Sequence, residues 1–81
     1  MHYRHAQCMA SSDIRKQFGA RVRKLRLERN WSQETLGFRA KIHRTYIGAV
    51  ERGEQNVALE NIAKIAVALK IALADLFSSF R

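Results

Sequence analysis

The chain has 81 residues, room for a single domain, and a fold of this length buries only about 60% of the surface that its unfolded chain exposes. A hydrophobic share of 47% with 27% charged residues excludes extensive disorder, and no apolar run approaches the roughly 18 residues of a membrane span. A single cysteine excludes an intrachain disulfide, and a formal net charge of +8 points to an anionic partner.

The charge is unevenly placed. Residues 13–52 carry eleven Lys/Arg against four Asp/Glu, whereas residues 58–80 carry two of each. The basic half suits a polyanion, and the neutral, apolar half suits core and subunit contact.

Residues 1–12, MHYRHAQCMASS, show neither a helical nor a strand period and read as a flexible arm. They lack a signal-peptide layout, which together with the unpaired cysteine suits a cytoplasmic protein. His2, His5 and Cys8 have ligand chemistry at a spacing of three. With no fourth ligand nearby, they read as incidental rather than as a zinc site.

From Asp13 the pattern becomes helical. The first predicted helix covers residues 13–29, with Ser12 or Asp13 as N-cap and Ile14, Phe18, Val22 and Leu25 along one stripe. Arg15, Lys16, Arg21, Arg23, Lys24 and Arg29 occupy the other faces, available to solvent or to phosphate. Asn30 tolerates the left-handed conformation and is a suitable stop. The second helix covers 33–40 behind a Ser32 cap, with Trp31 and Leu36 as a hydrophobic staple.

The third helix covers 44–52, with Ile42 and Ile47 as a staple around His43 and Gly53 placed as the residue that ends it. Leu36 and Ala40 share one helix face and Ile47 and Val50 another, while Ile42 plugs the corner between them. Gly37 keeps the crossing small. Such a pair is a helix-turn-helix, whose second helix enters the DNA major groove.

The fourth helix, residues 59–69, has a main stripe of Leu59, Ile62, Ala66 and Leu69, widened by Ala63, Ile65 and Val67. It reads as a central core helix. The fifth covers 73–80, with Leu73, Leu76, Phe77 and Phe80 at i, i+3, i+4 and i+7. One small subunit cannot easily bury this stripe as well as the fourth helix, so these four residues are expected to form a homodimer interface.

The segments VRKLRLERNWSQETL, RTYIGAVERGEQN and LENIAKIAVAL resemble the lambda-repressor/Cro-like helix-turn-helix regulators, also called the xenobiotic-response-element family. The likeness covers residues 14–77 and, within the family, is strongest to the controller proteins of restriction–modification systems. It implies an all-α, compact five-helix DNA-binding domain with the helix-turn-helix at helices two and three. It also implies that Gln33 grips a phosphate, that Arg44 and Thr45 face base edges, that Tyr46 lies against the backbone or a thymine methyl, and that Ala49 offers the groove an apolar contact. The Arg44 fork suits guanine O6 and N7. Arg52 and Asn56, with His43 at the head of the third helix, are placed to hold phosphates. Backbone N–H groups at the starts of helices two and three can receive phosphate as well.

By the same resemblance Arg26 pairs with Glu51, making Glu51 a clamp rather than an acid or base. The departures from the family's pattern concern conformation and capping. Gly37 stands where alanine is usual, Lys41 and Lys70 where glycine is usual, and His43, Ala58 and Ala72 where Ser or Thr caps are usual. These predict a weakly capped monomer that leans on dimerisation for stability.

The expected function is a transcriptional regulator that binds a pseudo-palindromic operator in double-stranded DNA as a homodimer, such as the controller of a restriction–modification operon. No cofactor is expected. The alternative is an antitoxin-type module whose apolar C-terminal helix binds a partner protein, with DNA autoregulation secondary. A partner such as an RNA polymerase subunit or a toxin is compatible with either. An enzyme is not expected: Cys8 and His5 lie in an arm that cannot hold a nucleophile–base geometry, and the folded part has no phosphate-cradling glycine loop. Single-strand RNA reading needs an exposed aromatic platform, and the aromatics here mostly fall on core stripes.

Overall fold

Helical periodicity in the sequence becomes five helices and no strand among residues 11–78, the part of the chain that the computed structural model describes. They are α1 (Ser11–Glu28), α2 (Gln33–Ala40), α3 (Arg44–Glu51), α4 (Leu59–Leu69) and α5 (Leu73–Leu76). Residues 1–10 and Phe80 lie outside the described residues, so one of the four expected interface residues and all of the expected arm but its last two residues, Ser11 and Ser12, which belong to α1, are not described.

One core joins all five helices. Phe18, Val22 and Leu25 of α1 meet Leu36 and Ala40 of α2, Ile47 and Val50 of α3, Ile65, Ala66, Ala68 and Leu69 of α4, and Leu76 of α5. Trp31, Ile42 and Tyr46 close its edges as half-buried residues. The stripe foreseen on α1 is therefore present, except that Ile14 stays exposed.

The helix ends show where local chemistry decides. α1 is already helical at Ser11, the first described residue, so Ser12 and Asp13 are inside the helix rather than its cap. Asp13 instead sits in the first turn, where a negative charge complements the positive end of the helix dipole. Asn30 stops the helix with a φ of 59°. Ser32 caps α2 by accepting from the Thr35 N–H at 3.0 Å.

The turn between α2 and α3 forms without glycine at its left-handed position, which Lys41 occupies with a φ of 60°. The Ile42 N–H then returns to the Gly37 carbonyl at 2.8 Å. A Cβ at residue 37 would run into the Ile42 carbonyl oxygen and crowd the Arg44 backbone. Gly37 thus serves the close approach of the turn to α2. At the far end of α3, Gly53 is left-handed with a φ of 78°. The N–H groups of Gly53 and Glu54 bond the carbonyls of Val50 and Ala49 at 3.0 and 2.9 Å, a Schellman closure.

The capping expectations need one correction and keep two points. His43 is a working cap: its Nδ1 accepts from the Thr45 N–H at 3.0 Å. An imidazole lone pair does what a serine oxygen does elsewhere. Ala58 and Ala72 provide no side-chain cap, as expected. Lys70 ends α4 with a φ of 59°, and Arg29 donates to the Leu69 carbonyl at 2.8 Å.

The C-terminal region departs furthest from expectation. α5 is one turn, not the eight-residue helix expected over 73–80. Leu76 is 0% exposed and belongs to the monomer core rather than to a free apolar face. Phe77 is half-buried and stacks on Phe18 with ring centroids 5.5 Å apart. The physical reason is that a single turn laid across the end of the bundle brings i+3 and i+4 inward without a further helical face. Leu73 remains partly exposed. α4 departs the other way: Leu59 and Val67 are 76% and 75% exposed, so this helix is not enclosed on all sides.

A non-glycine residue in the left-handed region costs roughly 1–2 kcal/mol. Lys41→Gly or Lys70→Gly should therefore raise stability by about 1 kcal/mol. For a domain of this size that is about 4–8 °C in melting temperature by calorimetry.

Candidate nucleic-acid interface

The candidate surface is built around α3, and a buried ion pair sets the orientation of that helix. Nε and Nη2 of Arg26 donate to the two carboxylate oxygens of Glu51 at 2.7 and 2.9 Å. The third donor, Nη1, reaches the Trp31 carbonyl at 2.7 Å. Gln33 adds a bond from Nε2 to Glu51 Oε1 at 3.1 Å. The Arg26 and Glu51 side chains are only 9% and 2% exposed. One carboxylate thereby ties α3 to α1, to the start of α2 and, through Arg26, to the turn between those two helices. The pairing implied by the family resemblance is present.

Glycines allow the helices to come this close. A Cβ at Gly19 of α1 would overlap the Val50 carbonyl oxygen and lie 2.7 Å from that of Glu51. α1 therefore touches the C-terminal backbone of α3 at Gly19, two turns before the arginine that pairs with Glu51. Gly48 leaves room for side chains instead of backbone, since a Cβ there would come within 3.2 Å of Arg52 Nη1 and Gln33 Oε1.

With its inner face held by Ile47, Val50 and Glu51, α3 turns Thr45, Ala49 and Arg52 outward at i, i+4 and i+7. Arg44 and Thr45 are exposed at the head of the helix, and neither side chain makes a hydrogen bond among the described residues, the Thr45 N–H alone being engaged by His43. Ala49 is half-buried on the same side. Tyr46 packs against the core, so its ring is partly committed to the fold.

The residues expected to touch phosphate divide. Asn56 is exposed in the loop before α4. Gln33 is half-buried and its amide already bonds Glu51, so it is first a strut between α2 and α3. His43 commits Nδ1 to the cap, which places the imidazole proton on Nε2 and leaves that N–H as the ring's donor. Arg52 is exposed, and Glu54 holds its fork: Nε donates at 3.0 Å and Nη2 at 3.2 Å. The bond and charge of Glu54 hold the Arg52 guanidinium further above its ordinary value. The hydrogen bond from Arg52 in turn holds the Glu54 carboxyl below the usual carboxylate range.

Several interactions that matter here were not foreseen from the sequence. Glu54 pairs with Arg52 across a turn, which no helical period reveals. Arg21 donates to the Asp75 carbonyl at 2.7 Å and to Ser78 Oγ. Arg29 donates to the carbonyls of Leu25 and Leu69. Two cations expected to face solvent or phosphate are thus occupied with C-terminal backbone. Trp31 lies between cations instead, with the guanidinium groups of Arg39 and Arg29 at 4.5 and 5.9 Å from its ring. It is an anchor of the fold, as expected.

The family model HTH_3, described as helix-turn-helix, matches residues 22–76. The chain belongs to the HTH_3 helix-turn-helix family. The control protein C.BamHI of Bacillus amyloliquefaciens is 49% identical over 67 residues, covering 82% of this chain and 83% of that protein. Among solved structures, the restriction–modification controller protein C.AhdI of Aeromonas hydrophila superposes with a TM-score of 0.76 at 49% identity, covering 78% of this chain and 96% of that one. The hypothetical transcription factor NHTF from Neisseria gives 0.75 at 40% identity, covering 83% and 77%. This HTH_3 protein is a DNA-binding transcriptional regulator and not an enzyme, with the all-α, five-helix fold of its family. No described helix is long and apolar enough to cross a membrane.

Removing one partner of a buried ion pair strands the other charge, at a cost of about 3–5 kcal/mol. Glu51→Ala should therefore lose DNA binding by unfolding, seen as a large drop in the urea midpoint. A variant that melts like the parent would sink the clamp assignment.

Proposed function

We propose that this protein is the controller of a restriction–modification operon, binding a pseudo-palindromic operator as a homodimer. The observation that carries the reading is the first turn of α3. Arg44 and Thr45 stand exposed on a helix whose inner face is fixed by the core and by Glu51. Relatives called control or controller proteins share close to half of the aligned residues. Arg44 and Thr45 read base edges, Tyr46 and Ala49 supply apolar contact, and Gln33, His43, Arg52 and Asn56 set register on the phosphates. Control of transcription by such a protein places it in the cytoplasm, on the nucleoid.

The dimer surface needs a different composition from the one read off the sequence. Leu59, Ala63 and Val67 lie at i, i+4 and i+8 on one side of α4, with Leu59 and Val67 exposed. Leu73 is also exposed. This stripe, rather than Leu76 and Phe77, is the apolar surface that a second copy would cover. Two recognition helices would then stand about 34 Å apart, one DNA turn. The antitoxin alternative loses support on the same grounds, because α5 spends Leu76 and Phe77 on the core of its own subunit.

Footprinting of Arg44→Ala tests the readout. We expect the variant to keep its melting temperature and to lose about 1–3 kcal/mol of discrimination at one base pair per half-site. Unchanged preference at every position would refute the assignment of Arg44. Val67→Glu tests the dimer: sedimentation should show a folded monomer, with weaker operator binding than the parent.

A further inference from the structure

The ion pair between Arg52 and Glu54 has no evident structural purpose. Both side chains are more than half exposed, at 58% and 57%, and surface pairs of this kind contribute little to stability. Its geometry is nevertheless well defined. The Schellman turn at Gly53 ties the Glu54 N–H to the Ala49 carbonyl. That bond folds residue 54 back beside residue 52, and the carboxylate meets the guanidinium edge with two oxygens. A phosphodiester presents its two non-bridging oxygens to arginine in the same bidentate manner. Arg52 itself stands in line with Thr45 and Ala49 on the outward side of α3.

We propose that Glu54 is an affinity-setting residue, an intramolecular stand-in for DNA phosphate that occupies the Arg52 fork in the free protein and must be displaced when DNA binds. The inference rests on the reading above that Arg52 contacts phosphate. Binding at this position is then an exchange of one anion for another. The pair approaches DNA as a nearly neutral unit, so Arg52 contributes less phosphate attraction than its charge alone would supply. Glu54 lowers affinity for duplex DNA of any sequence, because phosphate contacts carry no base information. The base-reading turn at Arg44 and Thr45 is untouched. The result is a regulator that leaves DNA readily and whose occupancy follows its own concentration.

The test is a double-mutant cycle on the full chain with a random-sequence duplex, measuring dissociation constants over a range of salt concentration. The four proteins are the parent, Glu54→Gln, Arg52→Ala and the double variant, with thermal melts to verify that each is folded. Glu54→Gln should tighten binding on the order of fivefold. It should also steepen the dependence of log affinity on log salt by up to about one, the value of one added phosphate contact. In the Arg52→Ala background the same substitution should change affinity by less than about twofold, and the slope not at all. Equal tightening in both backgrounds would mean that Glu54 acts only as a nearby negative charge, and would overturn the proposal. No tightening in the parent would overturn it as well. If Arg52→Ala alone changes neither affinity nor slope, the reading of Arg52 as a phosphate contact fails, and the inference falls with it.

Discussion

The orientation of α3 depends on one buried carboxylate. Hydrophobic packing of Ile47 and Val50 places the helix on the core, but apolar contact is non-directional and tolerates a helix rolling about its axis. Glu51 removes that freedom. Its two oxygens accept from Arg26 in a fork, and one of them also accepts from Gln33. Charge-assisted bidentate bonds carry angular as well as distance requirements. Gly19 adds a steric limit from the α1 side, because its missing Cβ sets how closely the end of α3 approaches. With the roll fixed, the outward positions of α3 follow.

The basic half of the chain has two populations of cations. Arg26 is consumed by the clamp, while Arg21 and Arg29 hold C-terminal carbonyls of other segments. Arg39 lies over the Trp31 ring. Arginine suits these positions because its fork presents several donors from one planar group. The cations left to face a polyanion are fewer than the net charge suggests. They include Arg44 on α3 and Arg23 and Lys24 on the exposed side of α1.

Most of the fold was legible because it rests on period and local caps. The bounds of α2 and α4, the Ser32 cap, the stops at Asn30 and Gly53 and the crossing at Gly37 all follow from residue type and spacing. What could not be read was the choice between equally apolar faces. Leu76 and Val67 look alike in the sequence, yet one is enclosed and the other exposed, because the direction in which α5 leaves α4 decides which side is covered. Tertiary pairing was equally hidden. Nothing in spacing distinguishes an Arg29 that reaches Leu69 from one that faces solvent, and Glu54 lies across a turn from Arg52. His43 was read as a weak cap by comparison with serine, whereas its ring nitrogen reaches the backbone just as well.

The side chains of Arg44 and Thr45 make no hydrogen bond among the described residues, and both are exposed. Substitutions at such positions usually leave stability within about 0.5 kcal/mol. On the proposed reading that these two residues face base edges, the chain can explore new base preferences there by single amino-acid changes without first acquiring compensating mutations in its core. Gln33, His43 and Tyr46 lack that freedom, since each also holds the fold together. Divergence between copies of such a gene should accordingly concentrate at two adjacent codons.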